Sequence, residues 1–150
     1  MADKKIEVRL LTPAIRSGQS QYKLECEADM VIIRTVTGDM GFLSGHEPCS
    51  VVLDSGVMRV VRGDELDEYK LAVLGGVAQM EDNVVTIISE DAEWPEDIDR
   101  GRAVALRDEK QALLDASESS IERDTLRREI KTQEVLITVS GFPASTYEKV

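Results

Sequence analysis

The chain holds a single histidine, His46, inside the run Gly38-Asp39-Met40-Gly41-Phe42-Leu43-Ser44-Gly45-His46-Glu47-Pro48. An imidazole with Asp39 upstream and Cys49 and Ser50 just downstream is the residue set of a general base that activates a thiol or hydroxyl. The same residues also suit a histidine that orders its own turn or meets a partner. His46-x-x-Cys49 offers two ligands where a zinc site wants four. The run carries three glycines, one proline and the apolar Met40, Phe42 and Leu43. Apolar tips on a glycine-rich loop suit either the core or a contact surface. A second constellation lies in Ile98-Asp99-Arg100-Gly101-Arg102-Ala103. Asp99 and Arg102 stand three apart, so on a helix they share one face. They read either as a helix-start carboxylate with a nearby cation, or as an acceptor and cation for a small anion such as a nucleotide. No G-x-x-x-x-G-K-[ST] phosphate loop occurs.

Composition narrows the chemistry. The 150 residues carry 18 Lys plus Arg against 29 Asp plus Glu, a formal net charge of −11. Free nucleic acid and anionic lipid are poor partners for such a surface. Aromatic residues make up only 4% of the chain, so the core must be aliphatic. No apolar run approaches the roughly 20 residues of a membrane-spanning helix. The start, MADKKIEVRLL, lacks the apolar centre of a signal peptide. Cys26 and Cys49 form no C-x-x-C pair and read as reduced thiols of a cytosolic protein.

The elements that must position these residues change character near residue 94. Before it, Ile6, Val8 and Leu10 alternate with polar neighbours from Lys4 to Leu11, the period of a half-buried strand. Similar runs are Tyr22 to Cys26, Met30 to Val36, Ser50 to Leu53, Val57 to Arg62, Glu68 to Leu74, Gly76 to Glu81 and Val84 to Ser89. Turn chemistry separates them, including Gly75-Gly76 as a bend. Many short strands with no ten-residue helix define an antiparallel β-sandwich, or flattened barrel, over residues 1–94. After it, Pro95-Glu96-Asp97 starts a helix with Asp97 at the cap. Ile98, Ala105, Leu106, Ala112, Leu113 and Ala116 then recur at helical spacing. Ser117-Glu118-Ser119-Ser120 breaks the pattern, and a second helix begins near Ile121 with Leu126, Ile130 and Ile137 inward. Residues 95–140 thus form a two-helix antiparallel hairpin. The β-branched run Val135-Leu136-Ile137-Thr138-Val139 suits a strand, so the helix is expected to end or loosen there. Residues 141–150 are expected to be a flexible tail.

Three stretches together resemble the epsilon subunit family of bacterial F-type ATP synthases. The glycine-rich run from Gly38 to Pro48 is similar to the family's G-[ED]-x-G-x-x-x-G-H-x-P loop. Gly75 to Ile87 resembles its glycine pair and following hairpin. Ile98 to Ala103 matches its [IL]-D-x-x-R-A element. The resemblance implies a non-catalytic rotor subunit of the central stalk, sitting between the gamma subunit and the c-ring of a proton- or sodium-translocating enzyme. It implies a peripheral position on the cytoplasmic side of the inner membrane, with no insertion into lipid. It matches Asp39 to the loop acid that faces the c-ring and His46 to the loop histidine near gamma; Met40, Phe42 and Leu43 beside them are the apolar candidates for subunit contact. It implies no required cofactor, and ATP as a regulatory ligand of Glu93, Ile98, Asp99, Arg102 and Ala103, joined by Arg123 and Arg127. The hairpin would extend towards the alpha and beta subunits and inhibit hydrolysis. The alternatives are a free-standing nucleotide-sensing module and a small hydrolase built on Asp39, His46 and Cys49 or Ser50.

Overall fold

A computed structural model describes residues 4–13, 20–63 and 67–147. Ten strands come first: β1 Ile6–Pro13, β2 Ser20–Ala28, β3 Met30–Thr35, β4 Gly38–Leu43, β5 Cys49–Leu53, β6 Gly56–Arg62, β7 Asp67–Val73, β8 Gly76–Glu81, β9 Val84–Ile88 and β10 Ala92–Glu93. A 3-10 turn, Pro95–Asp97, leads into α1 Arg100–Ala116 and α2 Ser120–Ser140. The hydrogen-bonded order is β10-β7-β6-β3-β5-β8-β9-β1-β2, with β4 on the free side of β3. Every ladder is antiparallel except β1 with β9. A single pairing, Thr35 with Leu53, joins β3 to β5. The strands therefore split into two layers, β10-β7-β6-β3-β4 and β5-β8-β9-β1-β2, which fold over each other as a nearly closed sandwich.

The aliphatic alternation explains the layers. Ile6, Val8 and Leu10 are fully buried, and so are Val31, Met58, Leu71, Val85 and Ile87 on other strands. Burying such a side chain is worth about 1.5–3 kcal/mol, so one face of each strand must turn inward. Between β8 and β9, Asp82 and Asn83 hold φ values of 49° and 62°. A two-residue hairpin turn of this kind needs two consecutive left-handed residues, which Asp and Asn tolerate. At the start of β8, Gly76 has φ +119°, and a Cβ there would lie 2.1 Å from the Ile88 carbonyl oxygen. Only glycine permits that approach.

Several expectations need correction. Gly38 to Leu43 is not loop but β4, which pairs along its length with β3. Its glycines do not break it, because β3 supplies the ladder. Asp97 does not cap the first helix. Pro95–Asp97 closes a separate 3-10 turn, and Asp99 is the cap, accepting from the Arg102 N–H at 3.0 Å. Of the residues that recur at helical spacing on the first helix, Ala105, Ala112, Leu113 and Ala116 are exposed, and α1 buries Ala103 and Leu114 instead. The second helix does not end at Val135. It runs unbroken to Ser140, with Val139 0% exposed. Packing against the body overrides the strand preference of a β-branched run.

The tail also differs from expectation. Residues 141–147 have no regular structure, yet they are tied down, with Ser145 bonded to Glu96 and the Tyr147 ring stacked on Trp94. An aromatic ring that finds an aromatic slot buries area that a free tail would leave wet. Residues 148–150 lie outside the described residues.

The hairpin lies on the outer face of the β3-β6-β7 layer. Its own core is small: Leu114, Leu126 and Ile130. The main core is drawn from the strands and Trp94, with no residue of either helix. Polar contacts complete the docking. Lys131 bonds Asp54, and the Lys70 ammonium sits 4.5 Å from the centre of the Phe142 ring. Within the hairpin, Arg100 Nη1 donates to the Ile137 carbonyl and Ser140 Oγ, both at 3.1 Å. Lys110 pairs with Glu129 at 3.3 Å.

Candidate functional site

The loop after β4 is built by its own backbone. The His46 N–H bonds the Leu43 carbonyl at 3.1 Å, and the Gly45 N–H donates to Asn83 Oδ1 at 2.8 Å. The loop is thereby fastened to the β8-β9 turn. His46 Nδ1 lies 2.8 Å from the Glu47 carbonyl oxygen. A carbonyl can only accept, so this nitrogen carries the proton and is not free to act as a base. Cys49 Sγ is 4.0 Å from the same nitrogen, and the imidazole packs at 5.0 Å on the Phe42 ring.

Asp39 does not orient this histidine. It starts β4, and about 14 Å of strand separates it from the loop beyond Leu43. Its carboxylate meets Arg34 across the β3-β4 pair at 3.3 Å. Cys49 leans on the core while exposed Ser50 faces the other way. The hydrolase set is therefore not brought together. Among the described residues no group of three or more His, Cys, Asp and Glu is placed to hold a metal.

The expected contact residues also separate. Phe42 is 0% exposed and belongs to the core. Met40 packs partly against that core. Leu43 and Asp39 are exposed, and His46 is half-buried. Asp39 borders the groove between α2 and the sheet, with Lys131 and Glu134 opposite.

The expected nucleotide set is split as well. Glu93, Ile98, Asp99, Arg102 and Ala103 sit at the base of the hairpin. Arg123 sits at its tip, about 25 Å away for the 17 residues of α1, and Arg127 about one turn below it. Antiparallel helices place their N-termini at opposite ends, so the arginines cannot reach Asp99 in this arrangement. Each has another task. Asp99 caps α1. Arg123 Nη1 donates to the Leu114 and Ser117 carbonyls at 2.7 and 3.0 Å and so closes the C-terminus of α1. Arg127 pairs with Asp124 at 3.2 Å. Ala103 is buried. Burial, with Asp91 beside it, pushes the Glu93 carboxyl above the usual range.

A surface that the sequence reading missed lies on the other layer. Val52 pairs with Val77, Val77 with Ile88, and Ile88 with Leu11. Directly paired residues point to the same side of a sheet. These four therefore form one row across β5, β8, β9 and β1, and Leu11 continues it to Tyr22 on β2. Val52, Val77 and Ile88 are 57, 49 and 51% exposed. Val36 joins the row, since its N–H bonds the Val52 carbonyl, and it too is exposed. An aligned apolar row on an otherwise acidic chain is a candidate contact surface. The available signal was an apolar residue at an outward position of each successive strand.

The architecture is a sandwich with one outer face covered by a hairpin and an apolar row on the other: a body with an appended arm. Comparison with known proteins specifies it further. Residues 17–95 match the model of the ATP synthase delta/epsilon chain β-sandwich domain. The chain is 39% identical over 110 residues to an ATP synthase epsilon chain of Trichodesmium erythraeum, covering 73% of this chain and 77% of that one. It is 34% identical over 88 residues to that of Caldicellulosiruptor saccharolyticus, covering 59% of this chain and 63% of the relative. Among solved structures, a chain of the Euglena gracilis mitochondrial ATP synthase, OSCP/F1/c-ring assembly superposes with TM-score 0.71 at 24% identity, over 89% of this chain and 81% of that one. A chain of the Tetrahymena thermophila central stalk/c-ring structure gives 0.60 at 16% identity, over 93% and 99%. At these identities the superpositions speak for the fold. The chain belongs to the ATP synthase epsilon family, whose members are subunits of that enzyme and not its catalytic chains.

Proposed function

We propose that this chain is a central-stalk rotor subunit of an F-type ATP synthase, docked to gamma and the c-ring through the sandwich. The observation that carries the reading is the aligned row Val36, Val52, Val77 and Ile88 on the layer the hairpin leaves bare. A rotor part must pass torque without deforming, and a close-packed sandwich does so. An apolar row anchors a partner by the area it removes from water. The loop at His46 and exposed Leu43 lie at the end of the barrel that carries the β8-β9 turn. Two fastened turns, joined through Asn83, give that end a fixed shape. No helix among the described residues is long and apolar enough to cross a membrane.

The hairpin is the regulatory part. Its own core of three buried residues leaves its two helices held to each other by little compared with the sandwich. Release from the β3-β6-β7 face would let it reach the catalytic subunits and restrain hydrolysis. The test is capture: the tagged full chain is expected to retain gamma from lysate of its own cells, and Val77→Asp to lose it with an unchanged melting temperature. A wild-type chain that never retains gamma would count decisively against the reading.

A further inference from the structure

We infer that residues 141–147 are a strap that keeps the two helices of the hairpin closed, with Tyr147 as its latch. The inference deepens the reading of the hairpin as a releasable arm and rests on it. Three anchors hold the strap to three different parts of the body. The Phe142 ring lies against the Lys70 ammonium of β7 at 4.5 Å. The Ser145 N–H and hydroxyl both donate to the Glu96 carboxylate, at 3.0 and 2.6 Å. Tyr147 inserts last. Its ring stacks on Trp94 at 5.2 Å and 17°, meets the Tyr69 edge at 5.4 Å, and its hydroxyl accepts the Glu25 N–H of β2 at 3.1 Å.

The slot that receives Tyr147 sits at the seam of the sandwich. Trp94 follows β10 and Tyr69 belongs to β7, at one end of the strand order, while Glu25 belongs to β2 at the other. A groove of about 860 Å³ runs along this seam between Tyr22, Cys26, Trp94 and Asp97, and Tyr147 forms part of its wall. A flat ring with a polar tip suits such a place: the stack takes the apolar face and the strand edge takes the hydroxyl.

Chain length makes the latch a gate. From Ser140 to Tyr147 the strap can stretch over at most about 25 Å. The 21 residues of α2 form a rod about 31 Å long. If α2 swings off α1 about the turn at Ser117–Ser119, Ser140 travels by as much as about 60 Å, twice that length. A seated Tyr147 forbids this motion. It permits small rocking of the closed hairpin, because Arg100 keeps Ser140 beside the start of α1. Opening the hairpin therefore requires Tyr147 to leave Trp94, and anything that occupies the slot in its place favours the open arm.

The chain has one tryptophan, so Trp94 emission reports the slot directly. Amide hydrogen exchange on the full chain reports opening of α2. In Tyr147→Ala, Trp94 emission is expected to shift to the red and α2 exchange to rise about tenfold, the scale of a lost aromatic cluster, with β3, β6 and β8 unchanged. Tyr147→Phe keeps the stack and is expected to stay within about twofold of wild type. Glu96→Gln, which weakens the middle anchor, is expected to raise α2 exchange without moving Trp94 emission, and it serves if Tyr147→Ala lowers strand protection. Unchanged α2 exchange beside a shifted Trp94 emission overturns the gate. Gamma capture by Tyr147→Ala separates the two ideas: capture retained with unresponsive α2 removes the strap alone, and capture lost in the wild type removes the docking reading alone.

Discussion

At the residue scale, two positions carry more than their size suggests. Gly76 lets β8 start against the backbone of β9, with 2.1 Å between its would-be Cβ and the Ile88 oxygen. Gly76→Ala is expected to lower the melting temperature by at least about 5 °C, since strain at such a φ alone costs about 1–3 kcal/mol. Calorimetry on the purified chain checks it. Glu93 has its carboxyl pKa raised by burial first and by Asp91 second. A raised folded pKa means the ionised form is disfavoured, so this group's stabilising share is full only below the unfolded pKa and falls away as pH rises through the folded one. Glu93→Gln is therefore expected to stabilise the chain modestly at pH 7, with the difference vanishing in acid, as read by melting curves across pH. In the sequence Asp99 reads as a helix-start carboxylate and the cap falls to Asp97; the cap is Asp99, because Pro95–Asp97 closes a separate 3-10 turn first. The sequence could not show that Arg123 closes α1, because that bond joins residues across the turn between two helices. The apolar row stayed hidden for a similar reason. Val52, Val77 and Ile88 are far apart in sequence, and single exposed valines are commonplace until strand register lines them up.

At the element scale, strand periods were legible because each strand buries one face. β4 was not, since glycines at Gly38 and Gly41 hid a ladder that β3 imposes from outside. The end of α2 misled for the opposite reason: the local preference of Val135 to Val139 is real, and docking on β6 and β7 overrules it. The hairpin core is thin, so single changes there should act locally. Leu126→Ala is expected to cost about 2–3 kcal/mol, seen as faster amide exchange in α1 and α2 with sandwich strands untouched. Docking should also respond to acid. Lys131, through its hydrogen bond, holds the Asp54 carboxyl below its ordinary value. That contribution is present above the unfolded carboxylate pKa and is lost as pH falls through the folded one. Exposure of both partners keeps it small.

At the scale of the whole molecule, the proposed function asks stiffness of the sandwich and release of the arm. The boundary near residue 94 was readable from the change in hydrophobic period, and the closing of the seam by Tyr147 was not, since it joins residues 122 apart. Deleting residues 95–150 is expected to leave a cooperatively folding sandwich, because no helix residue belongs to the main core, and to relieve restraint on ATP hydrolysis in the assembled enzyme. Thermal unfolding and hydrolysis assays check the two halves of that statement. The most direct measurement compares gamma affinity for two variants of the full chain by calorimetric titration. Val52→Asp with Val77→Asp charges the bare face, and Lys131→Glu disturbs the face beneath the hairpin. The account expects the first to weaken gamma binding at least about a hundredfold, the scale of losing a buried apolar anchor, and the second to leave it within about threefold. Unchanged affinity in the first variant, with a large loss in the second, would contradict it.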